Sequence, residues 1–271
     1  MRRPAASHRK LLAVVALSAA WFGCTKFTTD AEPAEAGLTD ASADSEADAS
    51  DGGPAAPFLL DTFTRTEPIA WGSADIGGAW TLTGPATVAG GVGRMAPVPG
   101  KGVYAFSDAI GTRDMDMQAI LTASAVGVAN DAGPGLGGGL FIALYGRCSS
   151  DTTSRYVGSV IVQSGGVIGL GLVARVAGVD TSLVRITVSP VVVAGEALRV
   201  RFQIVGASPT RLRGKVWKAS ESEPTFWPAE AEDSTPALQQ PGRSGASAYL
   251  SNTSDVPVVT TFDELTVRPL P

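Results

Sequence analysis

The chain has 271 residues, 44% of them hydrophobic and 17% charged, which is enough for one large or two small domains. Its formal net charge is −5, and the acids Asp30, Glu32, Glu35, Asp40, Asp44, Glu46, Asp48 and Asp51 are concentrated in one early segment. Setting those acids and the cations Arg2, Arg3, Arg9, Lys10 and Lys26 aside leaves 16 Lys and Arg against 18 Asp and Glu, so the remainder is nearly neutral and presents no basic field for nucleic acid.

At the N-terminus, Arg2, Arg3, Arg9 and Lys10 precede an apolar run over 11–22, short of the roughly 20 residues a spanning helix needs. Residues 1–23 therefore read as a secretion signal. Its end, Trp21-Phe22-Gly23-Cys24, resembles the lipobox of bacterial lipoproteins, which implies that Cys24 is acylated and holds the protein to the membrane through lipid alone. Trp21 and Phe22 depart from the usual leucine and small residue of that box. The alternative is ordinary cleavage after Ser18-Ala19-Ala20 with a free thiol at Cys24. The expected address is a bacterial cell envelope.

His8, the one histidine of the sequence, falls in this leader, so maturation would leave none. That excludes Ser/His/Asp and Cys/His catalysis and histidine-ligated metals. With Cys24 modified, Cys148 has no partner for an internal disulfide. Residues 24–57 are Ala, Asp, Glu, Ser, Thr, Pro and Gly, with almost nothing to bury, and read as a disordered acidic tether. Such a chain spans roughly 30 Å, extended further by repulsion between carboxylates. Its Asp-x-x-x-Asp spacing lacks the glycine and ordered ligand set of an EF-hand.

From Phe58 to Pro271 the chain shows short runs with strand character and no convincing helical period. FLLDTFTRT opens the region, an irregular segment over 71–80 follows, and a short strand is expected at 80–83. Further candidates are 93–97, 103–107, 114–125, 139–147, 155–163, 168–177, 182–189, 247–251 and 258–267, separated by Gly, Pro, Asn or Asp. Spacings of this kind predict an all-β sandwich or barrel. The clearest pattern is the run 198–227. Leu198, Val200, Phe202 and Ile204 alternate with Arg199, Arg201 and Gln203, a turn at 206–210 reverses the chain, and Leu212, Gly214 and Val216 alternate with Arg213, Lys215 and Trp217.

DTFTRT, WGSADIGGAWT, GGVGRM, the 199–227 run, LQQPG and the closing FDELTV together resemble the concanavalin A-like jelly-roll domain, a relative of laminin-G-like and lectin/glucanase folds. The resemblance covers about 58–271. It implies a two-sheet antiparallel sandwich with a curved sheet whose hollow face binds carbohydrate in many relatives. It also implies that a structural calcium could sit between Asp61 and Asp263 on paired terminal strands; the alternative is that both cap turns or accept backbone hydrogen bonds.

Glycosidases of this fold carry Glu-x-Asp-x-x-Glu on one strand, because one acid must protonate the leaving oxygen while a second attacks. That pattern is missing here, so no catalytic residue and no enzyme is expected. Glu221-Ser-Glu223 and Glu230-Ala-Glu232-Asp233 are the nearest clusters, and both read as loops. Gly133-Pro-Gly135-Leu-Gly-Gly138 fits G-x-G-x-x-G but precedes a strand and is read as a loop. The expected ligand platform is Trp217 with Arg201, Arg213 and Lys215, joined by Tyr145 and Arg147 if their strand shares that sheet; the alternative is that Trp217 packs under the segment after it. Phe141 shares the parity of Tyr145. Trp71, Trp80 and Trp227 are read as loop anchors. The sequence thus points to a non-catalytic, lipid-anchored module for carbohydrate or envelope glycan, with a structural or protein-interaction module, or a polysaccharide hydrolase or lyase, as alternatives. It does not set the oligomeric state.

Overall fold

A computed structural model of the chain describes residues 55–126, 139–189, 191–254 and 256–270. The signal segment, Cys24, nearly all of the tether and the 133–138 loop lie outside the described residues.

The described chain forms two antiparallel sheets. The first runs β13 (Ala229–Asp233), β12 (Thr210–Lys218), β11 (Leu198–Val205), β6 (Met115–Ala123), β15 (Thr260–Pro269), β4 (Val92–Met95) and β3 (Ala86–Ala89), with β1 (Leu59–Asp61) also paired to β15. The second runs β10 (Val179–Val188), β9 (Ile168–Val176), β8 (Arg155–Val162), β7 (Leu140–Cys148), β14 (Arg243–Leu250), β5 (Gly102–Ile110) and β2 (Trp80–Thr83). Helix is confined, among the described residues, to 3-10 turns at Ser164–Gly166 and Pro236–Leu238.

Period-two patterning decides which face of each strand enters the core. Leu198, Val200, Phe202 and Ile204 of β11 and Leu140, Ile142 and Leu144 of β7 are all buried in the same apolar cluster between the sheets. Phe202 shows how tightly the layers mesh. A Cβ added to Gly158 of β8 would stand 2.3 Å from its ring, and one added to Gly214 of β12 would stand 2.6 Å away. The ring occupies room that any larger residue at either position would fill.

The segment 229–233, expected as a loop, is a strand. Its backbone pairs with β12 from Thr210↔Asp233 to Gly214↔Ala229, and Arg211 meets Glu230 across the pair. Charge alternation on an edge strand looks like loop composition, because one flank of such a strand faces water.

Candidate functional site

Trp217 lies on the outer side of the eight-stranded sheet, but its side chain is only 5% exposed. The segment 219–228 folds back over this face. The Lys215 Nζ donates to the Pro224 carbonyl at 2.6 Å and pairs with Glu223 at 2.7 Å, beneath the Trp227 ring at 4.4 Å. Arg201 is held by Asp116 at 2.6 Å and by Glu223 at 2.6 Å, and hydrogen bonding to Asp116 raises its guanidinium pKa. Arg213 donates to Gln203 Oε1 at 2.7 Å and lies 4.7 Å from the Trp227 ring centroid. The expected platform of Trp217, Arg201, Arg213 and Lys215 is therefore corrected: the indole is covered and each cation already has a protein partner.

Tyr145 is in the other sheet, so it shares no hollow with Trp217. Arg147 does not share a face with Tyr145 either. Its φ of 51° turns the strand at a register shift opposite Arg243 and Gly245, and the side chain points away from the Tyr145 face. The buried guanidinium then donates to the Arg113 carbonyl at 2.7 Å, Thr210 Oγ1 at 2.8 Å and the Gly206 carbonyl at 2.6 Å, and meets Asp114 at 3.3 Å. It is a structural fastener at the sandwich end. Burial lowers its pKa.

The calcium expectation fails on donor chemistry. The Asp61 carboxylate is fully buried and accepts four hydrogen bonds: Phe63 N at 2.9 Å, Arg65 Nη1 and Nη2 at 2.7 and 2.8 Å, and Trp80 Nε1 at 2.7 Å. Two oxygens offer about four acceptor sites, so none is left for a cation. Arg65 also stands where the ion's charge would have to be. Asp263 instead caps the backbone N of Glu264 at 2.8 Å, with its pKa raised by burial. The residues do not fit a metal, and among the described residues no three His, Cys, Asp or Glu side chains gather around one. Trp71 is buried against Phe63, Trp80 and Phe262, with ring centroids 5.0 to 5.4 Å apart.

The open site lies on the outer face of the seven-stranded sheet, a hollow of about 450 Å³. Strand register builds it. A row of outward residues crosses the strands as Tyr104, Ser247, Ala143, Ser159, Gly171 and Arg185, each paired with the next. Strands lie about 4.8 Å apart, so this row spans roughly 24 Å. Its middle is small or hydroxyl-bearing and forms a floor; a Cβ on Gly171 would come 2.6 Å from Ser159 Oγ. Rings form one wall. Phe141 and Tyr249 meet edge to face at 5.9 Å, and Tyr145 stacks with Phe106 at 5.8 Å.

Arginines lie against these rings. The Arg155 guanidinium stands 4.4 Å from the Tyr145 ring centroid, Arg185 stands 5.5 Å from that of Phe141, and Arg175 pairs with Asp180 at 2.9 Å. The Tyr145 hydroxyl donates to Ser247 Oγ, and burial pushes its pKa up to about 12, so it stays protonated and can act as a donor at neutral pH. Cys148 packs beneath this wall with Phe106, Ala143 and Tyr145, and burial raises its thiol pKa. A trough with rings and guanidiniums along its rim and hydroxyls on its floor can stack an apolar ligand face while hydrogen-bonding its edges. Of the residues expected from sequence, only Tyr145 lines it. Tyr104, Tyr249, Arg155, Arg175 and Arg185 were missed, and the one available signal was the outward parity that Phe141 shares with Tyr145.

Two facing antiparallel sheets with this strand order and an open hollow on one of them make the protein a jelly-roll sandwich of the concanavalin A-like kind. The sequence matches no protein-family model and no curated protein. Among solved structures it is similar to the GH43 protein BlXynB from Bacillus licheniformis, at 11% identity and a TM-score of 0.50 over 78% of this chain. The chain spans 39% of the length of that protein. It is also similar to the carbohydrate binding module CBM66 from Bacillus subtilis, at 16% identity and a TM-score of 0.45, over 70% of this chain and 94% of that one. A Bacillus licheniformis beta-glucanase is similar at 9% identity and a TM-score of 0.49, over 76% and 98%. At these identities the likeness concerns the fold.

Proposed function

We propose that the protein is a non-catalytic carbohydrate-binding module, carried on a lipid-anchored tether at a bacterial cell envelope, and that its ligand occupies the hollow of the seven-stranded sheet. The observation that carries this reading is the trough itself: the partly exposed rings of Tyr104, Phe141 and Tyr249 beside a floor of Ser159, Gly171 and Ser247. Sugar rings have apolar faces that stack on aromatic rings and hydroxyl edges that need polar partners, and this wall and floor supply both. The length of the row suits an oligosaccharide better than a single sugar.

A binding role is preferred to hydrolysis because the hollow is lined by one carboxylate, Asp180, and Arg175 already holds it. Two carboxyl groups across the scissile bond are what glycoside hydrolysis ordinarily requires. Affinity electrophoresis in polysaccharide gels tests the site. Tyr249→Ala should weaken retardation roughly tenfold through lost stacking. Trp227→Ala, on the opposite sheet, should leave it unchanged. The reverse result would move the site to the other face. The anchor rests on the resemblance at Gly23-Cys24 alone; Cys24→Ser should release the protein from the membrane fraction, and continued sedimentation with membranes would remove that part of the proposal.

A further inference from the structure

We propose that the ligand of the hollow is an acidic glycan, whose carboxylate or sulfate groups are received by Arg155, Arg175 and Arg185. This inference rests on the sugar-binding reading and adds the chemical class of the sugar.

Charge placement carries it. The hollow is lined by these three guanidiniums and by a single carboxylate, Asp180, in a chain whose net charge is −5. Arg155 and Arg175 stand directly opposite each other across β8 and β9, a like-charge pairing that disfavours the sheet. Asp180, opposite Arg175 on β10, hydrogen-bonds it at 2.9 and 3.0 Å and so compensates one of the pair. Arg155 meets no carboxylate among the described residues: its partners are the Thr152 carbonyl, the Tyr145 and Cys148 side chains, and the faces of Tyr145, Phe106 and Tyr104, at 4.4, 5.6 and 5.9 Å. It is 5% exposed, and its Nε has no hydrogen-bond partner.

Arg185 is the clearer case. It ends the floor row opposite Gly171, which has no side chain, and lines the hollow. Its Nη2 is buried without a hydrogen-bond partner, and the Phe141 ring is the group it faces. Burial lowers its pKa, as expected of a cation that loses water and gains no anion in return. Arg243, among the described residues, also has a buried Nε without a hydrogen-bond partner, but it lies 4.0 Å from Asp108. Arg65, Arg201 and Lys215 each meet a carboxylate at 2.7 Å or closer. Uncompensated guanidiniums over aromatic rings, along a trough of oligosaccharide length, are complementary to a chain of acidic sugars: planar guanidinium forks receive the anions while the rings take the sugar faces.

Isothermal titration of the full chain with oligogalacturonate, its methyl ester, dextran sulfate and dextran tests this. The free acid should bind roughly ten- to a hundredfold tighter than its ester, the difference a charged hydrogen bond makes, or dextran sulfate should exceed dextran by a similar factor. Either preference should shrink as salt is raised. Arg185→Gln should collapse the preference and Arg185→Lys should keep part of it. Arg185 is half-buried near a sheet edge, so a melting curve checks each variant; if both melt early, the comparison of charged and uncharged ligands on the native chain decides alone. Equal binding of charged and uncharged glycans would overturn the inference and leave sugar binding standing. Binding to none of the glycans would overturn both.

Discussion

Asp61 shows what a buried carboxylate does when four donors converge on it. Phe63 N, both terminal nitrogens of Arg65 and the Trp80 indole are satisfied by its two oxygens, and the side chain is inaccessible to solvent. Asp61→Ala would strand a partly buried guanidinium and a buried indole N–H at once, so a loss of about 3–5 kcal/mol in denaturant unfolding is expected. A chelator should leave the wild-type melt unchanged. A large drop in Tm on chelation would restore the metal reading. The pairing of the terminal strands that carry Asp61 and Asp263 was legible in the sequence; the Arg65 side chain occupying Asp61 was not, because i,i+4 spacing has no fixed meaning outside a helix. Tyr145 was placed on the outward parity correctly. Arg147 was misplaced because a single residue with positive φ reverses the parity of whatever follows it, and no pattern in Gly146-Arg147-Cys148 announces that turn.

Among elements, the alternating run 198–218 was legible almost to the residue: β11 and β12 lie at Leu198–Val205 and Thr210–Lys218. Period two reports that one face is dry and does not report what lies over the other. Lys215 and Trp217 look like a wet face with an aromatic among cations, yet both are buried, at 4% and 5% exposed. For Lys215 the reason is the segment 219–228, whose Glu223 binds Arg201 and Lys215 and whose Trp227 roofs three cations. The same cation–aromatic composition thus served a lid on one sheet and an open trough on the other. Short edge strands such as β13 were the least legible elements, since an exposed edge tolerates loop-like residues. Gly214 was legible as an inward position between Leu212 and Val216; that it and Gly158 are the sockets for Phe202 was not.

At the scale of the molecule, the hollow is a property of sheet order. The floor row from Tyr104 to Arg185 draws on six strands taken from 104 to 247, in the spatial order β5, β14, β7, β8, β9 and β10. Strand positions and fold class could be read along the chain, whereas this order and register could not, so none of the six row members was singled out beforehand. Nothing in Ser159 or Gly171 alone suggests a binding floor; side by side, they leave the space that the rings and guanidiniums border.

The central claim is that ligand binds this trough and not the covered face of the other sheet. Heteronuclear NMR of the isotopically labelled chain, titrated with oligogalacturonate, tests it most directly. Amide shifts concentrated on β7, β8, β9 and β14, with β11 and β12 silent, are the predicted result. Shifts clustered around Trp217 and the 219–228 segment, with the trough unmoved, would contradict it.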